Sequence, residues 1–328
     1  MQSLDKQTLL DAHKKLKHVE GIEVVKYNQL LALRVDNESA SATIFLQGAQ
    51  VASYQPKGQK PVIWLSDSCD YESGSPLRGG IPICWPWFGD LSKNPQAIID
   101  QLGGFGGSSD IIDSSEAPAH GLVRSRLWSI DSAERVDADT TSISFCLDVG
   151  AGDPGIWQYP CRLTLVVTVG VKLDVSLGIE NVGASGFMAS CALHSYFYIS
   201  NIASATVSGL HGVDYVDSLQ DWRRFTQDGC LVIKEEVDRI YQSIPGQVVI
   251  NDAGLSRNIY LTQRDAPSLV VWNPWLEKAK RLSCFGAKDY LGMLCLETAQ
   301  VLEHARYVGA GDSYSIGVEI ESVSEQRK

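Results

Sequence analysis

The sequence predicts an all-β fold of mainly antiparallel strands with one short helix at the N-terminus. Short segments throughout the chain alternate polar and apolar residues, which is typical of strands that bury one face, and residues 141–148 show this clearly. Turn-forming residues, such as those at 149–155, separate the segments. Because no long helical stretches alternate with the strands, a doubly wound parallel sheet is disfavoured. We therefore expect a large antiparallel sandwich or barrel.

The individual elements are predicted in chain order. In residues 3–17, Leu9, Leu10, His13 and Leu16 recur near helical spacing, so we expect a short amphipathic helix there. After this helix the pattern changes to short runs rich in apolar and β-branched residues. The clearest predicted strands are residues 22–27, 30–35, 42–46, 141–148, 161–169 and 173–179.

The chain of 328 residues is expected to form one domain over residues 1–328, because no repeat or linker is visible. Within it, residues 1–20 are a helical extension. Residues 93–118 are interpreted as a loop insertion, since they contain a glycine-rich run at 103–109. This insertion is either a lid over a pocket or simple loop variation. It is not a P-loop, because no Gly-Lys-Ser/Thr ending follows the glycines.

Charge and composition restrict the partners. The formal net charge of -11 argues against binding to nucleic acid or to acidic membranes, which require a basic face. A small anionic substrate remains compatible with this charge, since a few local arginines suffice to bind it. The N-terminus lacks a signal-peptide core, and no apolar run approaches the about 18 residues of a membrane span. A cytoplasmic location is therefore expected, with a monomer as the default state.

The eight cysteines are interpreted as free thiols. No two of them have the CxxC spacing, and most lie in apolar surroundings. A chain of this length does not need a disulfide framework for stability.

Two segments offer a general acid and a general base. His194 lies in the apolar run 191–199, where alternation places it on one face with Tyr196 and Tyr198. Glu297 directly follows the apolar run 292–296. Each has a simpler interpretation, as a hydrogen-bonded core histidine or a strand-end charge in water. The functional interpretation is that they act as a general acid and a general base. An imidazole has a pKa near neutrality, and partial burial would raise the pKa of Glu297.

Two arginines beside glycines are candidate anion ligands. Arg78 precedes Gly79-Gly80, and Arg124 follows His120-Gly121. Arginine is suited to bidentate phosphate contacts, although surface arginines are common. His120 either binds a sugar hydroxyl or braces the turn.

Further candidates are polar or aromatic. Asp238 either accepts a hydrogen bond from a sugar hydroxyl or pairs with Arg239. Of Trp85, Trp87 and Phe88, at least one is expected to line a pocket, because aromatic faces stack on sugar C–H groups.

Several chemistries are not indicated by any motif. The sequence has no histidine and cysteine cluster at zinc-ligand spacing, no Gly-x-Ser-x-Gly elbow and no dinucleotide fingerprint after an early strand. Nothing in the sequence therefore demands a metal or an organic cofactor.

Taken together, these segments resemble the hexose-6-phosphate mutarotases, or glucose-6-phosphate 1-epimerases, which are relatives of the aldose 1-epimerases. The resemblance covers residues 24–321. Its most specific motifs are residues 78–89 and 120–124, and segments 193–197, 237–241 and 295–297 follow in the same order. Two departures are Ala119, where some members have glutamine, and Leu122-Val123, where Phe-Ala is usual.

The resemblance implies a galactose-mutarotase-like β-supersandwich and an isomerase of carbohydrate metabolism. It implies that His194 and Glu297 are catalytic, and that Arg78, Arg124 and Asp238 bind substrate. The expected activity is interconversion of the anomers of a hexose 6-phosphate by acid–base ring opening. The alternatives are an epimerase of unphosphorylated aldoses and a non-catalytic sugar-phosphate-binding protein; a sandwich-fold lyase or hydrolase is disfavoured, because no carboxyl pair is visible.

Overall fold

The computed structural model describes residues 3–102, 117–150 and 157–324. The predicted N-terminal helix is confirmed as α1 (Ser3–Leu16), which buries Ala12 and Leu16. Two further α-helices are short, α2 (Gln96–Asp100) and α3 (Trp275–Ala279). Single 3-10 turns cover Leu91–Lys93, Ala253–Leu255, Asp289–Leu291 and Leu302–His304.

The rest of the described chain is dominated by short strands. Those of the first part are β1 (Ile22–Tyr27), β2 (Leu30–Asp36), β3 (Ala40–Phe45), β4 (Gln50–Pro56), β5 (Ile83–Cys84), β6 (Ser129–Arg135), β7 (Thr141–Val149), β8 (Cys161–Val169), β9 (Leu173–Asn181), β10 (Phe187–Ala189), β11 (Cys191–Leu193) and β12 (Tyr196–Tyr198). Those of the second part are β13 (Ala205–Ser208), β14 (Asp214–Asp217), β15 (Arg223–Thr226), β16 (Leu231–Val232), β17 (Val237–Tyr241), β18 (Gln247–Asp252), β19 (Arg257–Arg264), β20 (Ser268–Asn273), β21 (Met293–Gln300), β22 (Arg306–Val308) and β23 (Ser313–Ser324). All six strands predicted above are confirmed, with bounds that agree to within two residues.

Two large antiparallel sheets organise these strands. The nine-stranded sheet has the order β16-β13-β18-β19-β23-β9-β8-β7-β6. The eight-stranded sheet has the order β15-β14-β17-β20-β21-β11-β5, with β12 also paired to β21. A four-stranded sheet, β1-β2-β3-β4, and a two-stranded sheet, β10-β22, complete the architecture. The prediction of an antiparallel sandwich is therefore confirmed.

Strand β21 shows how the sheets position a site. Its Leu294 and Leu296 belong to the main hydrophobic core together with Val318 of β23. Because side chains alternate along a strand, Cys295 and Glu297 face the opposite side of the sheet. The core thus fixes the strand, and the strand holds a carboxylate and a thiol on its other face.

The first part of the predicted loop insertion at residues 93–118 contains a short helix. Residues 96–100 form α2 instead of loop, because Ile98 is fully buried and packs with Trp87 and Leu91. Gln101 fixes the helix end, since its side-chain oxygen accepts a hydrogen bond of 2.7 Å from the backbone N–H of Met188. The glycine-rich run at 103–109, on which the lid hypothesis depends, lies outside the described residues.

The cysteines agree with their interpretation as free thiols. All eight are free, and most are buried, although Cys230 is exposed. Within the described residues, no helix combines the length and the apolar character that a membrane crossing requires.

Candidate active site

A row of side chains crosses the eight-stranded sheet, and three of its members, Tyr196, Asp238 and Trp272, line a cavity. Asp238 on β17 pairs with Trp272 on β20, Trp272 pairs with Cys295 on β21, and Cys295 pairs with Tyr196 on β12. Directly opposed residues of antiparallel strands point to the same side. Glu297, two residues after Cys295, therefore lies on this side as well. The cavity has a volume of about 490 Å³, within the usual range for small-molecule sites.

His194 and Glu297 meet in this cavity. His194 Nδ1 lies 3.4 Å from Glu297 Oε1, and both residues line the cavity. The side chains are 9% and 1% exposed, so the pair is almost completely removed from water. The ring of His194 stacks on Tyr196 with centroids 4.7 Å apart, which fixes its orientation. The structure thus brings together the two residues that were predicted to act as acid and base.

Burial shifts the proton affinities of this pair in opposite directions. Removal from water lowers the pKa of His194 well below 6.5, and the nearby His120, Arg124 and Arg78 lower it further. Removal from water raises the pKa of Glu297 well above 4.5, and the charge of Asp238 adds to this effect. Both shifts favour neutral forms, because a low-dielectric environment disfavours charge. Without a ligand, burial therefore favours an uncharged imidazole on His194 and a protonated carboxyl on Glu297.

Arg78 and His120 line the same cavity. The Arg78 guanidinium donates a hydrogen bond of 3.4 Å to the Ser283 carbonyl. His120 Nδ1 accepts a 3.3 Å hydrogen bond from the backbone N–H of Gly89. Burial and the two site arginines lower the pKa of His120 to about 3, so its ring is neutral. His120 therefore braces the turn while its ring remains part of the cavity wall.

Asp238 lines the cavity, and it does not form the predicted alternative pair with Arg239. Arg239 instead lies 3.3 Å from Asp217. Desolvation raises the pKa of Asp238, whereas the charge of Lys278 lowers it. Lys278 also lines the cavity, close to Glu236 and over the ring of Trp272.

Arg124 is the predicted site residue that the structure places differently. It is not among the described residues that line the cavity, although it is close enough to lower the pKa of both His120 and His194. Its link to the cavity in this structure is therefore electrostatic, through its charge acting on the two imidazoles.

The aromatic prediction is confirmed for one residue. Phe88 lines the cavity, whereas Trp85 and Trp87 are fully buried in the core. Sequence reasoning missed Trp272 and Lys278 as parts of the wall. Nothing near either residue indicated a site, because only the pairing of β17 with β20 places Trp272 beside Asp238.

A β-sandwich that holds a buried acid–base pair in a sugar-sized cavity is the architecture of an epimerase-type isomerase. The chain matches the family model for aldose 1-epimerase over residues 32–97 and 103–321, so it belongs to the aldose 1-epimerase family.

Relatives at the sequence level have more specific names. A Cenchrus ciliaris protein, provisionally named a glucose-6-phosphate 1-epimerase, is 33% identical over 79% of this chain and 75% of its own length. An Escherichia coli K12 protein with the same provisional name is 30% identical over 85% of this chain and 86% of its own.

Solved structures share the fold. A Salmonella typhimurium protein provisionally described as a mutarotase superimposes with a TM-score of 0.81 at 25% identity, covering 94% of this chain and 95% of its own. The galactose 1-epimerase of Lactobacillus acidophilus NCFM superimposes with a TM-score of 0.68 at 11% identity. The match covers 92% of this chain and 98% of its own. The expected galactose-mutarotase-like fold is thereby confirmed.

Proposed function

We propose that this protein interconverts the α and β anomers of a hexose 6-phosphate, with glucose 6-phosphate as the first candidate. The observation that carries the proposal is the buried His194–Glu297 pair in a cavity that Arg78 also lines. Ring opening requires one group that removes a proton from the C1 hydroxyl and one that protonates the ring oxygen. The names of the relatives from Cenchrus ciliaris and Escherichia coli support glucose 6-phosphate as the substrate.

In the proposed mechanism, Glu297 removes the proton of the C1 hydroxyl while His194 donates a proton to the ring oxygen. The C1–O5 bond breaks, and the open aldehyde rotates about the C1–C2 bond. The ring then closes on the other face with the two roles reversed. Acid–base catalysis of this kind contributes roughly 10²–10⁴-fold for each group.

The bound phosphate has a role in preparing the pair. Burial favours the proton on Glu297 in the free protein, whereas the reaction begins with the proton on His194. Arg78 contributes to the low pKa of His194, so a phosphate dianion beside Arg78 offsets that contribution. Substrate binding thus favours the form of the pair in which His194 holds the proton and Glu297 is a carboxylate.

The test of the function is two-dimensional NMR exchange spectroscopy on equilibrated glucose 6-phosphate, with and without the protein. We expect faster exchange between the anomers of the phosphorylated sugar and little effect on free glucose. Equal acceleration of both sugars would instead favour the alternative, an epimerase of unphosphorylated aldoses. No acceleration of either by the folded protein would contradict the proposal.

Arg78→Ala is expected to raise KM for glucose 6-phosphate by about 10- to 100-fold, which corresponds to the loss of one charged hydrogen-bond partner. Weak activity on free glucose should be spared. The measurement is the anomerisation rate as a function of substrate concentration. The matched control is Arg162→Ala, which removes an exposed arginine from β8 of the nine-stranded sheet. It should leave KM unchanged. An unchanged KM in Arg78→Ala would refute the phosphate assignment.

A bell-shaped dependence of kcat/KM on pH is expected, because the productive pair holds one proton in total. The acid limb reports protonation of His194 and lies below its ordinary pKa of 6.5, since that pKa is lowered. The alkaline limb reports loss of the proton from Glu297 and lies above 4.5, since that pKa is raised.

Arg124→Gln should move the acid limb to higher pH, because it removes a cation that lowers the pKa of His194. Arg124→Lys retains the charge and should leave the limb close to its wild-type position. An acid limb that is the same in all three proteins would show that Arg124 has no electrostatic role in the pair.

A further inference from the structure

The acid–base pair has a third neighbour that the proposed mechanism does not use. The ligand atoms of His194, Cys295 and Glu297 all lie within 4.8 Å of one another, and all three residues are buried. The strand pairing described above explains this, because Cys295 and Glu297 share one face of β21 and Cys295 is opposed to Tyr196. An imidazole, a thiol and a carboxylate are therefore collected on one side of the sheet.

Two atoms of this cluster have unfilled hydrogen-bonding capacity. His194 Nδ1 and Glu297 Oε2 are buried and have no hydrogen-bond partner. Buried polar atoms of this kind are costly unless they are satisfied. Both atoms belong to residues of the cluster, so a cation placed between the three residues would give them a partner.

We propose that His194, Cys295 and Glu297 form a zinc-binding site, and that zinc bound there reversibly inhibits the enzyme. The inhibition follows because the metal occupies the same nitrogen and carboxylate that the sugar reaction needs. The expected inhibition rests on the proposed function, whereas binding of the metal by the cluster does not.

The ligand set selects the metal. Thiolate and imidazole ligands suit Zn²⁺, whereas Mg²⁺ and Ca²⁺ prefer oxygen ligands. One thiolate and one carboxylate balance the charge of Zn²⁺, and the thiol and carboxyl protons leave to solvent on binding. Three protein ligands leave the fourth tetrahedral position open, as in other open zinc sites.

The geometry requires only a small adjustment. Zinc–ligand bonds of about 2.0–2.3 Å place tetrahedral ligand atoms about 3.3–3.8 Å apart. The 3.4 Å between His194 Nδ1 and Glu297 Oε1 already fits this range. The 4.8 Å limit for the cluster exceeds this range by roughly 1 Å, so the ligand atoms would close by at most about that distance through side-chain rotation.

The first experiment titrates the metal-free full-length protein with Co²⁺, a spectroscopic substitute for Zn²⁺, in the absence of sugar. We expect a thiolate-to-cobalt charge-transfer band that Zn²⁺ abolishes by displacement. In Cys295→Ser and Cys295→Ala the band should disappear, and Zn²⁺ should bind at least about 100-fold more weakly. The absence of the band in the wild-type protein would overturn the proposal.

The matched control is Cys230→Ser. Cys230 is an exposed thiol two residues from Asp228, which lies 3.7 Å from His211 Nδ1, so this surface is where adventitious metal would bind. The variant should keep the band, and loss of the band in Cys230→Ser would overturn the assignment to the cavity.

Activity provides the second readout. Zn²⁺ should inhibit anomerisation in the wild-type protein and in Cys230→Ser, with recovery on addition of a chelator, while Mg²⁺ should have no effect. Cys295→Ser should resist Zn²⁺ inhibition. Zinc binding to the cavity without any inhibition would contradict the inhibitory role. If neither Cys295 variant folds, X-ray absorption of the zinc-loaded wild-type protein decides the question, since it must show one sulfur ligand at about 2.3 Å.

Discussion

Glu297→Gln and His194→Gln are each expected to reduce kcat for anomerisation by roughly 10²–10⁴-fold, the usual contribution of a positioned acid or base. Glutamine at position 297 has the shape of the neutral carboxyl that burial favours there, so the protein should remain folded. NMR exchange rates at saturating substrate, together with thermal unfolding of each variant, provide the measurement.

The matched control for this experiment is His304→Gln. His304 is a histidine outside the cavity, whose Nδ1 lies 3.0 Å from the hydroxyl of Ser268. This variant should retain kcat. Near wild-type turnover in either site variant would exclude the acid–base assignment, whatever the activity of the control.

Gly121→Ala is expected to give the largest loss of stability. Gly121 has a φ of +79°, and an added Cβ would lie 2.0 Å from the carbonyl oxygen of Trp85. The backbone would have to move there, because Leu122 N–H donates a hydrogen bond of 2.8 Å to that same carbonyl. We expect a decrease in the free energy of unfolding of at least about 4 kcal/mol, together with lost activity through displacement of His120.

Gly74→Ala separates the steric cost from the conformational cost. Gly74 has a similar φ of +83°, but nothing lies within 4 Å of an added Cβ. Gly74→Ala should therefore lower the free energy of unfolding only by the strain of an alanine in the left-handed conformation, about 1–2 kcal/mol. Equal losses in the two variants, measured by urea unfolding, would show that the close approach to Trp85 is not the source of the instability.

Much of the fold was predictable because it depends on local pattern. Alternation of polar and apolar residues predicted the strands at 141–148, 161–169 and 173–179, since a strand with one buried face repeats every two residues. Short runs rich in apolar and β-branched residues predicted the other three. The short helix α2 was not predicted from the glycine-rich composition of residues 93–118. A single buried residue, Ile98, anchors it against Trp87, and a contact of that kind has no local signature.

The site was predictable in part. His194 was identified from its position within an apolar run, Glu297 from its position at the end of one, and both from the family resemblance. The structure places them 3.4 Å apart. Arg124 was expected to bind substrate, but whether an arginine beside a turn points into a cavity or behind its wall depends on packing. Lys278 could not be identified, because it lines the cavity only through the position of the short helix α3.

By itself, the sequence determined the strand-rich architecture and the N-terminal helix, and it selected the candidates for the acid and the base. Only the tertiary structure decided which residues share the cavity with them. Asp238, Trp272 and Tyr196 line it although they lie far apart along the chain, because antiparallel pairing places them in one row with Cys295. The tertiary structure also decided the direction of the pKa shifts, because those depend on removal from water. Register and burial are properties of the packed sheets, and no local segment encodes them.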